Sequence, residues 1–165
     1  MSFSRRTAQL LHEEHRTTLA VIEALEGLVV SAKKIPPDTS DVQVQHILKQ
    51  AMENISQEIG GHFAFEEEQL FTRLAEFGDE AIGEHLKEEH QALLPLAQQI
   101  TDLTSQGLAL GFDEKSWELF RVVAGELSER MFTHIQKEEM ALLPMLEELL
   151  DPETDMELAT LHSQS

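Results

Sequence analysis

A short motif, in which a histidine precedes a glutamate by four residues, occurs twice in this chain and limits what the chain can fold into. Residues 62–66 carry one copy and residues 134–138 carry the other. Positions four apart on an α-helix differ by about 40° in projection, so both side chains of a copy leave from one helix face. A lone histidine, His15 or His90, precedes each copy at a similar distance. The sequence therefore predicts helices arranged as two equivalent halves.

Apolar residues recur at helical spacing along the chain, with capping or loop residues where each run ends. The predicted helices run from about Leu10 to just before Lys33, from a cap at Ser40 or Asp41 to Phe77, from about Glu80 to Thr104, and from a cap at Asp113 to Leu150. Gly60-Gly61 is a candidate bend in the second helix, and Pro95 is a candidate kink in the third. Gly107 and Gly111 are expected to open the loop that follows the third helix.

The fold class that follows is all-α. Because no stretch alternates polar and apolar residues as a strand does, β-structure is not expected. We expect an antiparallel up-down-up-down four-helix bundle with an internal pseudo-two-fold repeat. Asp151-Pro152 is typical of a helix start, so a short C-terminal helix or tail should follow. The length of 165 residues predicts one domain, 1–165, with its core at about 5–150 and the short helix or tail at 151–165.

The composition excludes several partners and several kinds of chemistry. Asp and Glu number 31 against 12 Lys and Arg, so the formal charge of −19 argues against nucleic acid or an anionic membrane as the partner. Because there is no cysteine, a metal would need nitrogen and oxygen ligands. The N-terminal residues lack the apolar run of a signal peptide, and no stretch approaches about 18 apolar residues. We therefore expect a soluble, cytoplasmic protein.

Helix phase selects which of the many glutamates face the core. On the predicted fourth helix, His134 and Glu138 share the apolar face, whereas Glu139 is rotated by about 100° toward solvent. The same argument on the second helix favours Glu66 over Glu67. Truncation of Glu67 is therefore expected to leave the metal content nearly unchanged.

The histidines of the first and third helices are chosen by phase and by the repeat. His15 is in phase with the apolar residues of the first helix, while His12 lies toward the flank. On the third helix, phase hardly separates His85 from His90, because His85 and Glu89 can also reach the edge of the apolar face. The repeat matches His90 to His15 and so favours His90. His85 is left as a candidate fifth histidine or outer group, with Glu89 beside it.

Four histidines and two glutamates that face the core would be costly to bury without a cation. The predicted metal ligands are His15, His62, Glu66, His90, His134 and Glu138. Imidazole and carboxylate suit iron, zinc, copper or manganese, and two carboxylates that can bridge indicate two metal ions. With a shared oxo or hydroxo bridge, about two coordination positions would stay open for O2, nitric oxide or peroxide.

The doubled pattern of a lone histidine and a His-x3-Glu pair resembles the hemerythrin-like family, the His-His-Glu cation-binding domain. The resemblance covers roughly Leu10 to Leu150 and implies a four-helix bundle with two iron ions on the six residues above, other divalent metals being alternatives. Oxygen-carrying hemerythrins show His-x3-His on the third helix and His-x4-Asp on the fourth, where this chain has His85-x4-His90 and Glu138. The chain is more similar to bacterial hemerythrin-like proteins and to the di-iron domain of iron–sulfur-repair proteins. Those proteins are associated with responses to nitric oxide, oxygen or peroxide.

Three functions fit these expectations. The favoured hypothesis is a di-iron protein that binds O2 or nitric oxide for sensing, buffering or storage. The first alternative is a di-iron oxidase, peroxidase or nitric-oxide-detoxifying enzyme, and the second is an iron store or donor. Enzyme activity therefore stays open. The expected partner is a small diatomic ligand or peroxide, and the sequence indicates no particular protein partner.

Overall fold

The computed structural model describes residues 2–164, and these residues form helices with no β-strand among them. The α-helices are α1 (Arg6–Ala32), α2 (Val42–Gln57), α3 (Phe71–Glu76), α4 (Glu80–Leu110), α5 (Glu114–Lys137), α6 (Leu143–Leu149) and α7 (Pro152–Ser163). The π-helical segments within the same range are π1 (Glu58–Phe63), π2 (Glu66–Leu70) and π3 (Glu138–Leu142). Because these segments continue the α-helices around them, α2 to α3 form one long helix and α5 to α6 form another.

The long helices pack as neighbours around a shared interior. α1 contacts α2, α5 and the C-terminal α7, and α4 contacts α2, α3 and α5. The predicted fold class, an all-α helical bundle, is confirmed. The up-down-up-down order stays a prediction, favoured by the short connections at residues 77–79 and 111–113.

Aspartate side chains fix the starts of α2, α5 and α7. Asp41 accepts hydrogen bonds from backbone N–H groups in the first turn of α2. Asp113 forms a capping box with Ser116, in which each side chain bonds to the other residue's backbone N–H. Asp151 accepts from the N–H of Thr154 at 2.7 Å. These predicted helix starts are confirmed, and Asp151 begins a helix rather than a tail.

The predicted end of the third helix near Thr104 was wrong. α4 continues to Leu110, and Gly107 lies buried inside it rather than in a loop. A Cβ atom on Gly107 would lie 2.3 Å from Cζ of Phe112, so glycine is needed there for the Phe112 ring to pack against the helix. The helix ends at Gly111, which has φ +79° and donates its N–H to the carbonyl of Gly107 at 2.8 Å.

The candidate bend at Gly60-Gly61 is part of the π-helical segment π1. In the first His-x3-Glu motif, π1 ends just after His62 and π2 begins at Glu66. In the second motif, π3 begins at Glu138. Each motif therefore has a π-turn that starts at its glutamate. A π-turn holds an extra residue and shifts the phase of the residues after it, and such turns are frequent at functional sites. Helix phase on either side of the motifs therefore differs from that of an ideal α-helix.

The hydrophobic core consists of two clusters with a polar layer between them. One cluster includes Ile100, Trp117 and Phe120, and the other includes Leu11 and Leu142. Along α1 and α4 the chain passes from one cluster to the other through a buried histidine. The polar layer is therefore enclosed by apolar side chains at both ends. In the part of the chain that the structure describes, no helix combines the length and apolar character needed to cross a lipid bilayer.

Candidate metal centre

The polar layer consists of the six side chains that the sequence selected, contributed by all of the long helices. All six residues have relative exposures of 1% or less: His15, His62, Glu66, His90, His134 and Glu138. α1 and α4 each supply one histidine, and the other two long helices each supply a histidine and a glutamate. The structure thus brings all six together in the centre of the bundle.

The six side chains form two overlapping groups of candidate ligand atoms. Atoms of His15 and His62 lie within 4.8 Å of each other and of carboxylate oxygens from Glu66 and Glu138. Atoms of His90 and His134 form a second group under the same limit with the same two carboxylates. We call the two groups the His15/His62 half and the His90/His134 half.

Both carboxylates reach across the two halves. Glu66 places Oε2 3.3 Å from Nε2 of His62 and Oε1 3.2 Å from Nε2 of His90. Glu138 Oε1 lies 3.0 Å from Nε2 of His134 and 3.4 Å from Nε2 of His15. Each carboxylate can therefore contact ions in both halves, as a bridging ligand does.

The outer nitrogen of every histidine in the centre contacts a further glutamate. The Nδ1–carboxylate pairs are His15 with Glu139 at 2.9 Å, His62 with Glu14 at 3.0 Å, His90 with Glu67 at 2.8 Å and His134 with Glu89 at 2.8 Å. An ionised carboxylate can only accept, so each Nδ1 carries a proton and donates it. Such pairs fix the tautomer and the ring orientation of metal-binding histidines.

The tautomer that follows leaves the lone pair of each neutral imidazole on Nε2, which points into the centre. The Nε2 atoms of His90 and His134 lie only 3.1 Å apart. Among the described residues, Nε2 of His15 and His62 and both oxygens of Glu66 and Glu138 are buried without a hydrogen-bond partner. Unpaired buried acceptors are costly. A buried donor set of imidazole nitrogens and carboxylate oxygens, most of them without a hydrogen-bond partner, fits a metal cation.

The comparison with protein families agrees with this geometry. The family described as the hemerythrin HHE cation-binding domain matches residues 6–161, a range that includes all six side chains. The chain belongs to this family. No curated protein matches the chain. The predicted family resemblance is confirmed, and the buried histidines and glutamates of this hemerythrin domain can hold a metal cation.

The glutamates on the outer nitrogens are the part of the hemerythrin centre that sequence reasoning missed. Glu67 and Glu139 were expected to point to solvent, but their side chains are only 29% and 25% exposed because each contacts a histidine on a neighbouring helix. Each follows a central glutamate in the sequence, while Glu14 and Glu89 directly precede His15 and His90. This placement repeats in both halves, and that repetition was a signal that could have identified them.

His85 does not reach the donor groups. Its side chain is 54% exposed, and its Nε2 lies 3.1 Å from Nζ of Lys137 at the surface. His85 and His90 are five positions apart, which is about 140° on an α-helix, so the two cannot face one point. Glu89 lies outside the donor groups as well, since it accepts from Nδ1 of His134 and from Lys137.

One histidine of each half has a shifted pKa, and the two shifts have opposite directions. Burial acts to lower the pKa of His62, but the negative charges of Glu66 and Glu58 outweigh burial and raise that pKa well above its usual value. Burial lowers the pKa of His134 to about 4, and nearby carboxylates offset only part of the effect. Burial would raise the pKa of Glu66, but electrostatic attraction to the imidazoles of His62 and His90 holds it well below the usual value.

Aromatic rings cover the His90/His134 half. Phe63 stacks on His90, with ring centroids 3.8 Å apart and planes at 6°, and Phe71 lies 5.9 Å from the same imidazole. The repeat places Ile135 at the position equivalent to Phe63. Among residues 2–164, a benzene ring is therefore stacked on a central histidine in the His90/His134 half and not in the other, and it restricts the orientation of His90 and excludes water.

Proposed function

We propose that this hemerythrin domain is a non-haem di-iron protein that binds O2 or nitric oxide. The observation that carries the proposal is the convergence of buried imidazole Nε2 atoms and carboxylate oxygens in the core, most of which have no hydrogen-bond partner among the described residues. His15 and His62 would hold one iron and His90 and His134 the other, while Glu66 and Glu138 would contact both. Iron would supply reversible one-electron chemistry and affinity for diatomic ligands.

Iron and a diatomic ligand are supported by the chemistry of the donors and by their surroundings. Imidazole with carboxylate is a donor set that iron accepts, and manganese or zinc could compete for it. Apolar clusters enclose the layer at both ends, which limits the access of water to a bound ligand. We propose that the partner of this protein is a small diatomic ligand and not a nucleic acid or a membrane, and that the protein is located in the cytoplasm. The formal charge of −19 supports the exclusion of nucleic acid.

Metal analysis combined with optical spectra tests this function. Pure protein is loaded with Fe2+ without oxygen, freed of excess metal and exposed to O2 or to nitric oxide. We expect about two iron ions per chain and a new absorption band with either gas. The variant Glu68→Ala, which changes an exposed glutamate beside the motif, should behave as the parent does. Iron that does not bind, or that binds without a spectral response to either gas, would contradict the proposal.

Turnover of peroxide or nitric oxide is a second candidate function, favoured by a buried polar chain beside His62. Glu58 is buried with Oε2 3.9 Å from Nδ1 of His62, and it accepts a hydrogen bond from Thr18 at 2.5 Å. Thr18 in turn accepts from Asn54 at 3.1 Å. A cavity of about 100 Å³ is lined by side chains that include Asn54, Glu58 and His62. Turnover would need protons from solvent, which the Glu58 carboxyl could accept and pass on, while Asn54 and Thr18 would orient it.

Steady-state assays distinguish turnover from binding. Repeated consumption of peroxide or nitric oxide by iron-loaded protein would establish the enzyme. In that case Glu58→Gln should slow consumption while the iron content stays the same. A single stoichiometric reaction, with a stable gas adduct afterwards, would favour the binding protein.

A further inference from the structure

The C-terminal helix α7 lies against α1 through one face. Asp155, Leu158, Ala159 and His162 are its buried residues, at the spacing of a single helix stripe. Two of these four residues are polar, and a buried polar side chain normally has a specific partner. α7 therefore does more than cover apolar surface.

The first polar residue, Asp155, holds the start of α1. Its two carboxylate oxygens accept from the N–H groups of Arg6 at 2.8 Å and Thr7 at 2.9 Å. Thr7 donates its hydroxyl to the backbone carbonyl of Asp155 at 3.1 Å. Asp155 thus supplies the cap that Arg5, at the N-cap position of α1, does not provide.

The second polar residue, His162, contacts the surroundings of the metal centre. Its Nε2 lies 2.7 Å from Oε1 of Glu14, and the same oxygen accepts from Nδ1 of His62 at 3.0 Å. Phe65 stacks on the His162 ring at 4.2 Å between centroids. Glu14 therefore lies between an imidazole of α7 and a central imidazole. Burial would raise the pKa of Glu14, but hydrogen bonds from His162 and His62 lower it to about 2.

We propose that His162 is a positioning residue for the metal centre: by donating to Glu14 it orients His62, so that docking of α7 and metal binding stabilise each other. The inference rests on the proposed function. Outer partners of metal-binding histidines typically change metal affinity by about 10–100-fold. The two equilibria are thermodynamically linked, so if docking of α7 strengthens metal binding, metal binding must stabilise docking by the same free energy.

The other half of the centre lacks this connection. In the repeat, Lys137 occupies the position of Phe65, and Lys137 contacts Glu89, the partner of His134. Glu89, the outer carboxylate on His134, is thus held by Lys137 at the end of α5 and not by α7. The effect of His162 should therefore be confined to one of the two metals.

Two substitutions of His162 separate hydrogen bonding from packing. His162→Phe keeps a ring against Phe65 and removes the donor to Glu14, whereas His162→Gln keeps an N–H donor and removes the ring. His46→Phe, at an exposed histidine of α2, is the matched control. Each protein is loaded with Fe2+ without oxygen, and iron release to a chromogenic Fe2+ chelator is followed over time.

We expect the Phe variant to release about one of its irons roughly 10–100-fold faster than the parent, while the Gln variant and the control stay within about threefold. Unchanged release in the Phe variant would overturn the inference. Faster release in the Gln variant alone would also overturn it, because packing would then be the role of His162. Equal acceleration in both variants would overturn it as well, because release would then not follow the presence of the hydrogen-bond donor. Parent protein that holds no iron would contradict the proposed function, and this inference with it.

Hydrogen exchange gives a second readout that does not depend on release. Iron loading should slow exchange of the α7 backbone amides in the parent protein and in His46→Phe. In His162→Phe this additional protection should be lost, although the helix remains docked through Asp155 and Leu158. Equal protection of α7 with and without iron in the parent would show that the two events are not linked.

Discussion

The His15/His62 half and the His90/His134 half of the metal centre share their inner donors but differ in their surroundings. In the first half, each outer carboxylate also contacts a second imidazole: Glu14 contacts His162 at 2.7 Å, and Glu139 contacts His12 at 2.5 Å. In the second half, Glu89 contacts the ammonium of Lys137 and, at 3.5 Å, the exposed imidazole of His85, and Phe63 stacks on His90. The difference lies mainly at sequence positions where the two copies of the motif diverge.

The comparison shows which positions of the repeated motif are constrained by the need for equivalent metal ligands. A site for two cations needs equivalent inner ligands, so each copy keeps histidine and glutamate at the same spacing. The intervening positions are free to differ, and Phe65 in one copy is Lys137 in the other. The halves can therefore differ in protonation and in metal affinity while they hold the same kind of ion.

The largest effect is expected where the two halves share a ligand. Glu66→Ala removes a carboxylate that lies 3.3 Å from His62 and 3.2 Å from His90, so the variant should lose most of both irons. Iron analysis after removal of excess metal measures the loss. Glu68→Ala is the control, and loss of a single iron from Glu66→Ala would mean that this carboxylate serves only one half.

A smaller effect is expected when one half is removed alone. His62→Ala should lose the iron of its own half and keep the other, and His134→Ala should do the reverse. Each variant should retain about one iron per chain by the same analysis. Loss of both irons from either variant would show that neither half can hold a metal without its neighbour.

Glu67→Ala should weaken the His90/His134 half without emptying it. The sequence alone predicted almost no effect, but Glu67 accepts from Nδ1 of His90 at 2.8 Å. We now expect affinity for one iron to fall by about 10–100-fold, measured by competition with a chelator of known affinity. An iron affinity equal to that of Glu68→Ala would agree with the prediction from sequence that Glu67 has almost no effect. It would contradict the role of the outer carboxylates in orienting the central histidines.

The smallest effect is expected in the pH dependence of Fe2+ affinity. It compares the two halves by means of His62→Ala and His134→Ala, each of which should retain one iron. The raised pKa of His62 keeps that imidazole protonated near neutral pH in the metal-free protein, so a metal must displace the proton. His134, with its pKa lowered to about 4, is already neutral there. Fe2+ affinity should therefore rise more steeply with pH in His134→Ala, which keeps His62, than in His62→Ala. Titrations at several pH values test this, and equal slopes would contradict it.

Much of the fold and the inner site could be predicted from local sequence. The spacing of His62 and Glu66 places both on one face of any helix, and helix phase then separates Glu66 from Glu67. Caps such as Asp113 are local as well, since they bond within one turn. These features depend on residues a few positions apart, which a single sequence displays directly.

The features that were missed depend on contacts between helices or on unusual backbone. Glu67 was assigned to solvent because phase describes one helix, whereas its partner His90 belongs to another. Gly107 was taken as a helix end, but its hydrogen atom leaves room for Phe112, a residue beyond the helix. The π-turns beside Glu66 and Glu138 have no pattern in residue type that distinguishes them from α-helix.

The most direct test of the central claim is a crystal structure of iron-loaded protein with anomalous scattering recorded at the iron edge. We predict two iron peaks in the core, one bound by His15 and His62 and the other by His90 and His134. Carboxylate oxygens of Glu66 and Glu138 should contact both peaks. A single peak, no peak, or iron bound only by surface carboxylates would contradict the account.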